Sequence, residues 1–396
     1  MTKINSITFF LLMAVMPAMA QKGLPPKPVV TMTHTTNYPQ HLDFSPSMLS
    51  KLKVPDGWQV KIAATGLGKP RMMFIGSNGQ LYITRRDAGD VLMLTDTNGD
   101  HVMDELETVV SDFKGVHGIT IHNGWMYLMA NREMQRMPVD KDGRPGMAQV
   151  IYTDLPDGGQ HPNRTMKFGP DGRLYISVGS TCNDCGESNK ENATMLQADT
   201  ANWQRMIYAR GLRNTIGFDW DPVTGGLYGM DNGADTKGDD LPGEELNLIT
   251  KDSHYGWPLV YGKQVPDETR EDPPGTLKAE FAKTTMAPLM EFPAHMAPID
   301  FVFLSKAESL PAEWKDDALV TWHGSWNKSK PAGYKIQHII FENGKPVRAE
   351  DFLTGFFDPA ARTRFGRPAG LAVSADGTIY VSDDENGVLY AIEKKK

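Results

Sequence analysis

Basic residues occupy corresponding places in successive parts of the sequence, each just before an apolar stretch. The basic residues are Arg71, His117, His161, Arg164, Arg213 and Arg367, and Asn214 follows Arg213. Asp300 stands at the corresponding position of the fifth repeat, which aligns least well with the others. Guanidinium groups bind planar carboxylates through paired hydrogen bonds. If the fold brings these side chains close together, they would form a binding site for an anion. For any single arginine, a structural ion pair is an equally good explanation.

His161 is the candidate general base. It follows Gly158-Gly-Gln and precedes a proline, in a segment without the apolar pattern expected around a core histidine. A histidine among positive charges tends to be neutral, and a neutral imidazole can accept a proton. A structural histidine is the alternative. For His117 the sequence favours neither interpretation.

Two acidic runs are candidates for calcium binding. Residues 231–247 mix carboxylates with glycines and free carbonyls, as Ca²⁺ sites do, although a solvated acidic loop is the alternative. Residues 96–107 have oxygen-bearing side chains at positions 1, 3, 5, 9 and 12 of a calcium loop. His101 replaces the glycine expected at position six, which favours a polar hairpin instead.

The elements that would position these residues repeat along the chain. Each copy is an apolar strand, an Asn-Gly or Asp-Gly turn and a second strand. Copies occur at 74–84, 121–129, 168–177 and 373–382, with degenerate copies at 218–230 and 303–322. A spacing of roughly 45 residues is typical of propeller blades. We therefore predict an all-β fold, a six-bladed β-propeller over residues 51–396. The strand before each turn would be innermost, so the basic residues would meet at one mouth of the central channel.

Ring closure and two irregular regions complete the predicted organisation. Residues 57–67 should form a strand that completes the last blade, which ends at 388–392, because closure removes the free sheet edges. Residues 183–211 are predicted to hold a loop and a possible short helix. Residues 236–296, rich in Gly, Pro, Asp and Glu, are predicted to be long loops on one face.

The N-terminus and the composition indicate an exported protein. Residues 1–20 resemble a signal peptide, with Lys3, an apolar core at 7–16 and Ala18-Met-Ala20 before the predicted cleavage point. That core is too short for a transmembrane span. Residues 21–50 are predicted to form an extended arm. The net charge of −8 without a basic stripe argues against nucleic acid and anionic membranes as partners. We expect a soluble periplasmic or secreted protein.

The only two cysteines, Cys182 and Cys185, are interpreted as a local disulfide that fixes a loop. Haem attachment would require histidine where Gly186 stands. A thioredoxin-like site would require the motif to open a helix, and zinc would require two further ligands.

The chain resembles the soluble quinoprotein sugar dehydrogenases, the aldose, glucose and sorbosone dehydrogenase-like proteins that use pyrroloquinoline quinone (PQQ). The similarity extends over about the whole mature chain. It rests on the motifs at 159–161, 168–175, 211–214, 231–234, 245–249, 255–258, 323–327 and 366–368. The cysteine loop and Arg164 fit the sorbosone-like branch better than the glucose-oxidising one.

The resemblance implies roles for individual residues. His161 would be the catalytic base. Arg213 and Asn214 would contact the quinone, and Arg367 would bind a cofactor carboxylate. Arg71 and Arg164, at the corresponding positions of their blades, are further candidates for cofactor binding. In the fifth blade, residues 323–328 stand where the family often has a lysine, so His323 is a candidate and the residue that serves there stays open. Backbone oxygens of Gly233 and Ala234 would bind a calcium ion that polarises PQQ. Glu245 and the Tyr255 carbonyl would bind a second, structural calcium.

The expected activity is oxidation of an aldose-type sugar or sugar aldehyde by hydride transfer to PQQ, followed by reoxidation by an external electron acceptor. A calcium-dependent lactonase-type hydrolase is the alternative enzyme, but its axial residues should be mostly acidic. A non-catalytic ligand- or protein-binding propeller is the third possibility, and it would expose aromatic residues at the mouth. The identity of the sugar and the oligomeric state stay open.

Overall fold

A computed structural model describes residues 36–395, except 306 and 308. The predicted signal peptide and residues 21–35 of the predicted arm lie outside the described residues. Within the described part, no helix is long and apolar enough to cross a membrane.

Six four-stranded antiparallel sheets form the fold, which confirms the predicted six-bladed propeller. From the inner to the outer strand, blade 1 contains Met73–Ile75, Leu81–Arg85, Asp90–Thr95 and Glu105–Val110, blade 2 contains Gly118–His122, Trp125–Met129, Met134–Pro138 and Gln149–Tyr152, and blade 3 contains Met166–Phe168, Leu174–Val178, Thr194–Ala198 and Arg205–Arg210. In the same order, blade 4 contains Thr215–Trp220, Leu227–Asp231, Glu244–Ile249 and Met290–Phe292, blade 5 contains Pro298–Phe303, Ala318–Trp322, Lys335–Glu342 and Lys345–Leu353, and blade 6 contains Pro368–Val373, Ile379–Asp383, Val388–Lys394 and Trp58–Ala64.

The blades form a closed ring. The inner strands of neighbouring blades contact each other, and blade 6 contacts blade 1 in this way. Between blades 3 and 4 the contact is made by Leu174–Val178, the second strand of blade 3, with the inner strand of blade 4. The strand before each Asn-Gly or Asp-Gly turn is therefore innermost, as predicted. Trp58–Ala64 pairs antiparallel with Val388–Lys394, so an N-terminal strand completes the last blade. This confirms the predicted closure.

Glycine allows alternate blades to approach the next blade closely. Gly118, Gly217 and Gly370 each lie near the start of an inner strand, in blades 2, 4 and 6. A Cβ at any of the three would clash with backbone atoms of the following blade. The absence of a side chain therefore brings the starts of the inner strands together around the channel.

Two predictions about the irregular regions were wrong. Thr194–Ala198 is a strand, not part of a short helix, because pairing with Leu174–Val178 overrides a helix-compatible composition. Residues 236–296 are not only loops, since they contain the third and fourth strands of blade 4. Between those strands lie a short hairpin, Val260–Tyr261 with Val265–Pro266, and an α-helix, Lys278–Ala282.

Smaller elements lie outside the blades. Gln40–His41 pairs in parallel with Thr363–Arg364, which also pairs with Phe357–Asp358. The described residues also contain 3₁₀ helices at Pro46–Lys51 and Ala312–Trp314.

Trp58 links the closing strand to blade 5. Its side chain is only 5 % exposed. The ring stacks on Trp314 with 5.3 Å between centroids and meets Phe352 edge-on at 5.4 Å. These contacts bury a large aromatic surface where the N-terminal strand meets the neighbouring blade.

Replacing Trp58 should therefore weaken the closure of the ring. We expect Trp58→Ala to lower the free energy of unfolding by about 3–5 kcal/mol, since a buried aromatic leaves a cavity behind. Urea unfolding followed by circular dichroism measures this. Trp58→Phe, which keeps an aromatic ring in place, should lose much less, and equal losses in the two variants would contradict the stacking argument.

Candidate functional site

The predicted mouth residues share one face of the propeller. Arg71, His117, Arg164, Asn214 and Arg367 each lie one or two residues before the inner strand of their blade. The starts of these strands converge around the channel, but the side chains of His117 and Arg164 are fully buried below the mouth. This face is therefore where the predicted anion site must be sought.

The prediction was wrong for Asp300. It is the third residue of the inner strand Pro298–Phe303 and lies inside the channel wall. Its carboxylate accepts hydrogen bonds from the backbone N–H groups of Phe301 and Leu371, each at 2.9 Å. Asp300 therefore joins blade 5 to blade 6 and does not belong to the ring of residues at the mouth.

A cavity of about 400 Å³ opens at the mouth. Its lining residues are Lys69, Arg71, Arg86, Asp87, His323, Arg367, Asp384 and Glu385. Three predicted cofactor-binding residues, Arg71, His323 and Arg367, thus come together from blades 1, 5 and 6. Ligand pockets commonly have volumes of roughly 300–1,000 Å³. The cavity is large enough for a compact organic anion.

Asp384 connects the cationic groups of this cavity. It forms an ion pair with Arg71, and its Oδ1 lies 2.7 Å from Nε2 of His323. Burial would raise the pKa of Asp384, but His323 and Arg71 hold that pKa well below its usual range. Burial, together with the charge of Arg367, lowers the pKa of His323 to about 4. Asp384 is therefore a carboxylate, and His323 a neutral donor to it, at neutral pH.

Arg367 keeps an uncompensated charge. Its Nε and Nη2 donate to the carbonyl oxygens of His323 at 3.1 Å and Gly324 at 2.9 Å. Among the described residues, no carboxylate lies within ion-pair distance of its guanidinium. The carbonyls orient the group without neutralising it, so it can still attract an anion.

His161 has a defined tautomer. Its Nδ1 lies 2.9 Å from the carbonyl oxygen of Ser180 and 2.8 Å from the Ser180 Oγ. A carbonyl only accepts, and the Ser180 hydroxyl already donates to the carbonyl of Cys182 at 2.8 Å. Nδ1 must therefore carry the proton, which leaves a lone pair on Nε2. No described residue hydrogen-bonds to Nε2, so it is free to accept a proton.

The surroundings of His161 keep it neutral. Burial, followed by the positive charge of Arg213, lowers the pKa of His161 to about 3. The site has the basic lone pair that proton abstraction requires at neutral pH. The ring is only partly buried, so a ligand can reach it.

Gly179 and Asp231 place Asn214 beside His161. A Cβ on Gly179 would lie 2.7 Å from the Cβ of His161 and 2.8 Å from Oδ1 of Asn214, so only glycine fits between them. The carboxylate of Asp231 accepts from the backbone N–H groups of Arg213 at 2.9 Å and Asn214 at 2.8 Å. Burial nevertheless raises the pKa of Asp231 to about 6. The structure thus brings Asn214 next to the candidate base.

Two of the predicted cofactor arginines are largely engaged by the protein itself. Arg164 is fully buried, and its guanidinium donates to the carbonyls of His161 at 2.8 Å and Pro156 at 3.0 Å. Arg213, 3 % exposed, donates to the carbonyls of Asn183 at 2.8 Å and Asn232 at 3.0 Å. Both arginines hold the backbone around the site. Their contacts with a cofactor stay predictions.

The predicted calcium region contains a buried carboxylate without a cation. Burial, followed by the negative charge of Asp231, raises the pKa of Glu245 to about 8. The Glu245 carboxylate accepts from the Gly262 N–H at 2.7 Å and from Asn247 Nδ2 at 3.1 Å. No described lysine, arginine or histidine forms an ion pair with it. With a pKa of about 8, Glu245 is mostly protonated at neutral pH when no cation is bound, and a bound metal ion would favour its carboxylate form.

A small cavity of about 30 Å³ adjoins Glu245. Four of the residues predicted to bind calcium, Gly233, Ala234, Glu245 and Tyr255, line it. The space is too small for an organic molecule and suits ions or water. An oxygen-rich donor set of this kind matches the ligand preference of Ca²⁺.

The other acidic run is a polar hairpin. Asp96 accepts from the backbone N–H groups of Gly99 and His101, each at 2.8 Å. Asp104 accepts from the Thr97 N–H at 2.8 Å and the Thr97 hydroxyl at 2.7 Å. These carboxylates stabilise the turn between two strands of blade 1, which is the interpretation that the sequence favoured.

Lys328 stands in the same fifth-blade segment as His323, and acidic residues of the protein engage its ammonium group. Lys328 contacts the Asp239 carbonyl, and its Nζ lies 3.0 Å from Oδ1 of Asp240. The fifth-blade residue in the mouth cavity is therefore His323, not Lys328. Cys182 and Cys185 form a disulfide, as predicted.

Sequence reasoning missed Asp384, Ser180 and Arg86. Each follows the second strand of its blade, where the antiparallel pairing returns the chain to the mouth. His323 occupies the same place in blade 5. The sequence signal for these residues is a polar residue one or two positions after the second strand of each repeat.

Comparisons with known proteins agree with the geometry. The family described as TrAA12-like matches residues 52–395. An uncharacterised protein of Borreliella burgdorferi is 27% identical over 367 residues, covering 88% of this chain and 92% of that protein. The PQQ-dependent sugar dehydrogenase of Hypocrea jecorina is 21% identical, covering 86% of this chain and 88% of that protein.

A solved structure has the same fold. The calcium structure of the Trichoderma reesei carbohydrate-active enzyme of family AA12 superposes with a TM-score of 0.76 at 21% identity, covering 91% of this chain and 98% of that one. Since the family match spans nearly all of the described propeller, the chain belongs to the TrAA12-like family and is a distant homologue of the PQQ-dependent sugar dehydrogenases.

Proposed function

We propose that this protein is a PQQ-dependent dehydrogenase that oxidises an aldose-type sugar or sugar aldehyde. The observation that carries the proposal is the combination at the mouth of a cationic cavity and a neutral histidine. Arg71, His323 and Arg367 line the cavity, and His161 offers a free Nε2 lone pair. A hydrolase of the lactonase type would instead need acidic residues around the axis.

The mouth residues fit PQQ, a flat tricarboxylate. Arg367 is oriented by carbonyl oxygens and keeps its positive charge for a ligand. Among the described residues, Arg71 has an ion pair only with Asp384, which it shares with His323. Charge-assisted hydrogen bonds to carboxylates are the strong ones, and the guanidinium groups of Arg71 in blade 1 and Arg367 in blade 6 can bind different carboxylates of one planar molecule.

The acidic side of the site fits Ca²⁺. Glu245 is buried without an ion-pair partner among the described residues, and Gly233, Ala234 and Tyr255, which offer backbone carbonyl oxygens, line the adjoining cavity. We propose that Gly233 and Ala234 hold the calcium next to the cofactor, and that Glu245 with the Tyr255 carbonyl holds a second one. A bound cation would relieve the repulsion between the Asp231 and Glu245 carboxyl groups.

His161 would perform the proton transfer. Its Nε2 accepts the proton of the substrate hydroxyl, while Nδ1–H keeps its hydrogen bonds to Ser180. The neighbouring Ser180 carbonyl then stabilises the imidazolium. Asn214, on the other side of Gly179, is placed to orient the substrate or the cofactor. When bound with calcium, PQQ supplies the electrophilic carbonyl that accepts the hydride.

Export and reoxidation by an external electron acceptor are part of the proposal. The sequence pattern of residues 1–20 and the Cys182–Cys185 disulfide support an oxidising compartment such as the periplasm or the cell exterior.

Activity should require both PQQ and Ca²⁺. We expect no sugar-dependent dye reduction by the purified protein until both are added, and none after calcium chelation. Each ligand at 100 times its dissociation constant should add about 2.7 kcal/mol of stability, which a thermal shift assay detects. Full activity with a nicotinamide cofactor, or in the presence of a chelator, would contradict the proposal.

His161→Ala should remove turnover but not the fold. We expect kcat to fall by about 10²–10⁴-fold, with the melting temperature and PQQ affinity close to those of the parent. His122→Ala is the matched control, because His122 ends the inner strand of blade 2 at the far end of the channel. A His161→Ala protein that is less stable but fully active would exclude His161 from catalysis.

The pH profile tests the same residue. Protonation abolishes the base, and the pKa of His161 is lowered to about 3, so activity should be lost only as the pH falls toward that value. An acidic loss of kcat centred near pH 6.5 in the parent enzyme would argue against this environment for the base.

Arg367→Ala should weaken PQQ binding by roughly ten- to a hundred-fold, because one charge-assisted contact is lost. Isothermal titration of the folded variant measures this. Arg348→Ala is the control, since Arg348 is 57% exposed on the outer strand of blade 5. Unchanged affinity in Arg367→Ala would remove Arg367 from the cofactor site. Arg213→Ala is a less specific test, because it also releases the carbonyls of Asn183 and Asn232.

A further inference from the structure

The turn closed by the Cys182–Cys185 disulfide lies between the candidate base and the candidate calcium segment. It follows Leu174–Val178, the second strand of blade 3, which ends at the mouth. Neither the proton transfer nor the cofactor contacts proposed above use this turn. Its hydrogen bonds nevertheless reach both parts of the site.

Asn183, inside this turn, holds the guanidinium of Arg213. Its carbonyl oxygen accepts from Nε, and its Oδ1 accepts from Nη2, each at 2.8 Å. One residue thus provides two acceptors along one edge of the guanidinium. Arg213 is almost fully buried, so its charge depends on these hydrogen bonds and on the Asp235 carboxylate, whose Oδ2 lies 3.4 Å from Nη2.

The same side chain holds the backbone that follows Gly233 and Ala234. Oδ1 of Asn183 also accepts from the Asp235 N–H at 2.8 Å, and its Nδ2 donates to the Thr236 hydroxyl at 3.0 Å. Arg213, held by Asn183, donates from Nη1 to the Asn232 carbonyl at 3.0 Å. The two residues therefore fix the candidate calcium segment from both ends.

Further contacts anchor the turn on two sides. On one side, the Cys182 carbonyl accepts a hydrogen bond from the Ser180 hydroxyl, which orients the Ser180 oxygen toward Nδ1 of His161. On the other side, Asp184 pairs with Lys237 at 2.6 Å and Arg270 at 2.8 Å, and the side chains of Asp184 and Lys237 are only 7% and 6% exposed. The turn is thus held at both ends of the candidate site.

We propose that Asn183 is a positioning residue, held in place by the disulfide, that sets the geometry of Arg213 and of residues 232–236. It acts through these groups and does not touch the substrate. The consequence for cofactor and calcium binding rests on the proposed function. The geometric part, the restraint of the Asp235 backbone, can be measured in the protein without any ligand.

Hydrogen exchange and calorimetry on three variants test this. In Asn183→Ala we expect the Asp235 amide to exchange about ten- to a hundred-fold faster, as expected for the loss of a buried hydrogen bond. PQQ and Ca²⁺ should bind more weakly by a similar factor, with kcat reduced. Asn183→Asp keeps both acceptor positions and should restore slow exchange and affinity. Asn189→Ala, an exposed asparagine in the same loop that accepts from the Glu191 N–H at 2.9 Å, should leave all of these unchanged.

The outcomes separate positioning from a structural role. If Asn183→Ala lowers the melting temperature while Asp235 exchange and ligand affinity match the parent, the proposal is overturned. Fast Asp235 exchange in Asn183→Ala with rescue in Asn183→Asp supports it, even if the parent protein binds no PQQ. A Cys182→Ser, Cys185→Ser double variant should also exchange faster at Asp235, and parental exchange there would reject the part assigned to the disulfide.

Discussion

Closure of the ring is the constraint on which the site depends. The N-terminal strand Trp58–Ala64 completes blade 6, which otherwise consists of C-terminal strands. Blades 1 and 6, which are far apart in the sequence, therefore become neighbours. Arg71 of blade 1 can then pair with Asp384 of blade 6, and its carbonyl accepts from the Ser382 hydroxyl at 2.7 Å. Without closure, these contacts could not form and the cationic cavity would lack one wall.

The charges of the site are separated and incomplete. On one side, backbone carbonyls orient Arg367, and no carboxylate of the described residues lies within ion-pair distance of its guanidinium. On the other side, the Glu245 carboxyl group is buried without an ion-pair partner among the described residues. Each arrangement is unfavourable alone. An anionic cofactor would balance the charge of the arginine, and a calcium ion would balance the charge of the carboxylate. Binding of both ligands should therefore stabilise the folded protein.

The sequence predicted what depends on local periodicity. The Asp-Gly and Asn-Gly turns with alternating strands gave the blades, and the position before each inner strand gave Arg71, His117 and Arg367. Residues whose position depends on the pairing partner or on a loop path were harder to predict. Asp384 and Ser180 reach the mouth only because the second strand runs back toward it, and Asn183 does so through a disulfide-closed turn. Asp300 was misplaced because the start of the blade 5 strand has no distinctive sequence signal.

Access, rather than basicity, distinguishes His161 from His117. Burial is the main cause that lowers the pKa of each histidine to about 3, so both are neutral at physiological pH. His117, however, is 0 % exposed and has Nδ1 3.3 Å from the Arg164 carbonyl, beneath the residues that line the mouth. No substrate hydroxyl can approach its ring without displacing protein atoms. His161 presents Nε2 at a partly exposed position, with Nδ1 held by Ser180. A general base must meet its substrate as well as be deprotonated, and of these two histidines only His161 satisfies both conditions.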